Sequence, residues 1–181
     1  MHATQRFLIL AAALVVIGAG CAAKTETGAS TGKRAPATRT EDAIFVVEGE
    51  PVALNGGVAE IRLSADAAVT TTTRIFGEPV EADLDADGDM DAVVWLTRDG
   101  GGSGTFYYVA ASIKEDWGYR GTEAYPIGDR IAPQTLEFRD SLIIANYADR
   151  KPGEPMTEQP SVGVSKYFRL EAGELQPTEQ P

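Results

Sequence analysis

The sequence predicts a mainly β protein, an antiparallel meander or partial propeller-like sheet preceded by a signal peptide and a flexible tether. Three observations lead there. Short apolar runs rich in β-branched and aromatic residues recur between Gly, Pro, Asn and Asp turn signals from about Ala43 to Leu175. No stretch after the first twenty residues carries the period of an amphipathic helix. The first residues themselves form a basic leader followed by an apolar run of secretory length.

The elements follow in order. Met1 to Arg6 is short and positive, and Phe7 to Ile17 is an unbroken apolar run of eleven residues, followed by Gly18-Ala19-Gly20-Cys21. A run of that length suits a secretory signal better than a transmembrane span. With its small residues ending at the only Cys of the chain, the segment resembles a bacterial lipoprotein signal. The resemblance implies removal of residues 1–20, a diacylglycerol thioether on Cys21 and attachment to a membrane of the cell envelope through that lipid. Ala22, not Asp, follows the Cys, which points to the outer membrane, periplasmic or surface side, in a host with two membranes. Ordinary cleavage near Ala22 or Ala23, giving a soluble exported chain, is the alternative; an uncleaved anchor is a third. Residues 21–42 read as the lipidated Cys and a disordered tether, because Ala22 to Glu41 holds no large apolar residue. A coil of about 20 residues reaches roughly 25 Å.

The β domain is expected over 43–175. Ile44 to Val47 is a short strand. Asn55-Gly56-Gly57, between Val52–Leu54 and Val58–Leu63, reads as a hairpin turn. Ser64 to Ala68 is a helical turn or a loop. Val69 to Phe76 is β-branched and extended, bent afterwards by Gly77 and Pro79. Val93, Val94, Trp95 and Leu96 mark a strand buried on both faces, and so does Thr105 to Lys114, with apolar residues on both alternations. Tyr119 to Ile127 is an irregular strand broken by Pro126; Gln134–Arg139, Leu142–Tyr147 and Val162–Leu170 are later strands. Ala148 to Ser161, with three prolines, is a long surface loop. Residues 176–181 are expected to fray.

Charge narrows the function. The chain carries 16 Lys+Arg against 27 Asp+Glu, a formal −11. Arg6 is the one basic residue of the leader, so the mature chain stands at 15 against 27, or −12. Such a balance argues against nucleic acid as a partner, since phosphate contacts need Lys/Arg clusters. The only His is His2, inside the leader. A mature chain without His or free thiol cannot form a Ser-His-Asp triad, a Cys-His nucleophile or a His-ligated zinc site. With one Cys it also has no internal disulfide.

The chemistry concentrates in Asp83-Leu84-Asp85-Ala86-Asp87-Gly88-Asp89-Met90-Asp91. Carboxylates fall at every second position, and in a flat strand all would crowd one face. A hard cation held by oxygen ligands offsets the repulsion, and Ca²⁺ suits the spacing. Asp83, Asp85 and Asp87 take positions 1, 3 and 5 of a calcium loop, Gly88 the turn at 6, Asp89 a backbone carbonyl at 7 and Asp91 position 9. An EF-hand needs Glu at position 12, where Val94 stands, and the flanks read as strands. The alternative is a solvated acidic turn without metal.

This stretch, over Asp83 to Leu96, is similar to the DxDxDGxxD loops of FG-GAP (integrin-type propeller) repeats. From Phe76 to Leu175 the succession FGEPVEADLDADGDMDAVVWL, GGSGTFYYVAAS, GDRIAPQTLEF, NYADRKPGEPM and PSVGVSKYFRLEAGEL resembles a recurrent bacterial exported or lipoprotein β domain. That resemblance implies an exported domain whose acidic loop belongs to the fold; it implies no reaction. One loop without a second copy does not make a propeller.

Three functions remain open: a membrane-tethered, calcium-stabilised module binding an envelope ligand or protein partner; a structural lipoprotein; and a carboxylate-only enzyme on envelope glycans. For the last, Glu81, Asp129, Asp149 and Glu154 are the candidate acids, with Tyr107, Trp117 and Tyr119 as a sugar platform. Core and sheet packing is the competing explanation of those aromatics, and a non-enzymatic role is expected.

Overall fold

The structure, a computed structural model, describes residues 34–62 and 69–180. The leader, Cys21, most of the expected tether and the Ser64–Ala68 segment lie outside the described residues.

The expected β class holds. Among the described residues twelve strands pair antiparallel and the helical content is a single 3₁₀ turn, Thr40–Asp42. No described helix is long and apolar enough to cross a membrane. β1 (Ile44–Val47) and β2 (Glu50–Ala53) form a hairpin. β3 (Val58–Arg62), β4 (Thr70–Ala82), β5 (Asp91–Asp99), β6 (Phe106–Glu115) and β7 (Gly118–Gly121) follow one another across a six-stranded sheet, which β8 (Tyr125–Asp129) completes by pairing with β6 beyond β7. β9 (Ala132–Arg139), β10 (Leu142–Asp149), β11 (Val162–Glu171) and β12 (Glu174–Thr178) form a second, four-stranded meander.

The six-stranded sheet is the middle of three layers, which is why its central strands are apolar on both alternations. From β5, Val93 and Trp95 face the β9–β12 sheet and join Ile143, Tyr147 and Phe168. Val94 and Leu96 face the β1–β2 hairpin and join Phe45, Val47, Val52 and Leu54. β6 divides the same way, Val109, Ala111 and Ile113 to one side and Tyr108 and Ala110 to the other.

Three expectations from the sequence are corrected. The compact unit begins at Ala35, not Ala43. Ala37 and Thr40 are buried, and the Ala37 carbonyl accepts the Tyr119 amide at 2.8 Å. Gly118 makes that approach possible: at φ +136 it leaves room where a Cβ would meet the Ala37 oxygen at 2.3 Å. Next, Asn55-Gly56-Gly57 does not close a hairpin of β2 on β3. Apart from a bridge between Asn55 and Val58, β2 pairs with β1 and β3 with β4. The Gly57 amide goes to the Glu41 carbonyl and its carbonyl to the Ile75 amide, so the turn carries the chain from one layer to the next. Gly56-Gly57 is itself a two-residue turn with both φ positive, +59 and +85, closed by Asn55 and Val58, but its arms part at once; the hairpin of β1 on β2 is turned at Glu48-Gly49, φ +56 and +80. Finally, Gln176–Thr178 does not fray; Tyr167 pairs with Thr178 and Arg169 with Gln176 in β12. The turn at Ala172-Gly173, φ +51 and +78, folds β12 back on β11.

Glu48 also fixes the hairpin to the middle sheet. Its carboxylate accepts the Tyr108 hydroxyl at 2.7 Å and lies 3.7 Å from the Arg98 guanidinium. Burial, then the hydrogen bond and charge of Glu48, push the Tyr108 phenol well above its ordinary value. A phenol raised on folding contributes stability that is complete below the unfolded value of about 10 and is lost as pH rises through the folded value. Melting temperature is therefore expected to fall above about pH 10, and less steeply in Tyr108→Phe. That substitution should cost about 1–2 kcal/mol at neutral pH. Parallel alkaline profiles for the two proteins would contradict this role.

Candidate metal centre

The acidic stretch is the β4–β5 connection. β4 bulges between Phe76 and Val80, where three residues of β4, Gly77 to Pro79, stand against one of β5, Val94. Gly77, at φ +76, takes the turn this requires. Pairing then resumes and ends at Ala82 opposite Asp91, which closes the base of the loop. Leu84 is buried in the core between the two larger sheets and pins the loop there.

Within the loop the chain is not a flat strand. Ala86 at φ +64 and Gly88 at φ +95 turn it twice through the left-handed region. Gly88 occupies the position where the spacing called for a sharp turn; Ala86 adopts the same region despite its Cβ. Successive Asx turns set the rest: the Asp87 amide donates to Asp85 Oδ1 at 3.2 Å and the Asp89 amide to Asp87 Oδ1 at 2.8 Å. The Gly88 amide donates to Asp83 Oδ2 at 3.1 Å.

This folding sorts the five carboxylates. Asp83, Asp85 and Asp91 each bring an oxygen to within 4.8 Å of the others, an arrangement that could hold a metal ion. Asp87 and Asp89 are exposed and stand outside that group of three. Asp91 is the anchor, only 1% exposed. Its Oδ2 accepts the Leu84 amide at 2.9 Å and its Oδ1 the Lys114 amide at 2.8 Å, so it ties the loop to β6. Each oxygen keeps a second lone pair. Burial raises the Asp91 carboxyl above its ordinary value, the two amides oppose the rise, and the charges of Asp85 and Asp87 add to it. The loop thus concentrates negative charge on a group that the fold has removed from water.

Asp83 shows the same tension differently. Its Oδ1 is buried and has no hydrogen-bond partner among the described residues. A buried carboxylate oxygen left so is costly unless something positive faces it. The donor set is oxygen only, which suits a hard cation and not a thiophilic one.

Two contributors were not visible in the sequence. The Lys114 amide reaches Asp91 only through the β5–β6 register, and the Tyr119 hydroxyl donates to the Met90 carbonyl at 3.1 Å, bracing the loop from β7. No spacing rule links either to the acidic stretch. The other candidate acids stand outside that group of three. Asp129 is held by the Thr105 amide and Arg130, Asp149 accepts the Arg150 amide, and Glu154 pairs with Lys151; Glu81 lies on β4. Of the proposed sugar platform, Tyr107 stacks edge-on against Phe76, Tyr119 braces the metal loop and Trp117 is exposed in the β6–β7 turn.

Fold and site together define an all-β domain with an acidic strand-to-strand loop that could hold a metal ion. Comparison with protein-family models, curated proteins and solved structures finds no match to this chain.

Proposed function

We propose that the ion is Ca²⁺ and that the protein is a lipid-anchored envelope protein. Its calcium-stabilised β domain presents a surface to a ligand or partner outside the cytoplasm. The buried, partnerless Asp83 oxygen beside Asp85 and Asp91 carries the calcium reading. A turn that served only as a solvated connection would leave its carboxylate oxygens to water. The oxygen-only set and the turn at Gly88 fit a flexible, hard-cation site. The leader ending at Cys21 and the acidic balance of the mature chain support the envelope location.

Extracellular sites of this kind bind at roughly 10⁻⁴–10⁻³ M. With a dissociation constant of about 10⁻⁴ M and about 1 mM free Ca²⁺, binding to the folded state alone adds about 1.4 kcal/mol. The purified mature domain should then melt a few degrees higher in millimolar Ca²⁺ than in excess chelator. Asp83→Ala should erase the difference and Asp89→Ala should keep it. Equal melting of the wild type in both conditions would reduce the loop to a solvated turn.

Lipidation has its own test. Labelled palmitate should be incorporated into the full chain and not into Cys21→Ser. Incorporation that survives the substitution, or a soluble mature chain beginning at Ala23 or later, would overturn the anchor.

A further inference from the structure

We draw no further inference here: the strongest candidate, the cavity of about 300 Å³ beside β8 and β12 lined by Glu123, Tyr125, Pro126, Glu174, Leu175 and Pro177, carries nothing because Pro126 and Pro177 each remove a backbone donor from its walls, Arg120 and the Glu123 amide already engage the Glu174 carboxylate, and nothing in the structure shows what covers it.

Discussion

Asp91→Ala is expected to lower stability by about 2–4 kcal/mol even in excess chelator, since one buried and one partly buried amide lose their acceptor at about 1–3 kcal/mol each while relief of the buried charge offsets part of the loss. The amides are those of Leu84 and Lys114, and they join the loop to β6. Asp91→Asn separates charge from hydrogen bonding. It keeps one acceptor oxygen, removes the charge that burial and Asp85 and Asp87 disfavour, and should cost clearly less than the alanine change without metal. Both variants should lose the stabilisation by calcium. Urea unfolding of the three proteins, with chelator and with millimolar Ca²⁺, measures this. An alanine variant within about 0.5 kcal/mol of wild type in chelator would mean that Asp91 does not hold the loop.

Phe168→Ala should cost about 3–5 kcal/mol, the usual loss for a fully buried aromatic side chain. Phe168 is 0% exposed on β11 and meets Tyr125 of β8 edge-on, with ring centroids 5.0 Å apart. It therefore belongs to the core shared by the six-stranded sheet and the β9–β12 meander. Because that core is common to both sheets, the variant should still unfold in one transition, at lower denaturant and with the same slope. Separate transitions for the two sheets, or a loss below about 1.5 kcal/mol, would contradict the shared core.

The class of fold was legible because burial on both faces leaves a local mark. Val93 to Leu96 and Tyr108 to Ile113 had to be central strands, and they are. Partner choice left no such mark. Asn55-Gly56 has the composition of a hairpin turn, yet the Gly57 amide and carbonyl bond to Glu41 and Ile75. Glu48-Gly49, which lacks the usual Asn or Asp, is the turn that closes β1 on β2, held by Arg98 and Tyr108, fifty and sixty residues from Glu48. Gln176–Thr178 looked like a polar tail because its strand character comes from pairing with β11 and not from its own side chains. At the candidate site, the spacing of aspartates located the loop and its turn at Gly88. It did not reveal that Ala86 also turns left-handed, so that Asp87 and Asp89 stand outside the group formed by Asp83, Asp85 and Asp91.

The measurement that bears most directly on calcium is titration calorimetry of the metal-free mature domain with Ca²⁺, beside Asp83→Ala and Asp89→Ala. The expected result is one site per chain with a dissociation constant of roughly 10⁻⁴–10⁻³ M, absent in Asp83→Ala and retained in Asp89→Ala. No saturable binding to the wild type, or binding that Asp83→Ala leaves unchanged, would contradict the assignment.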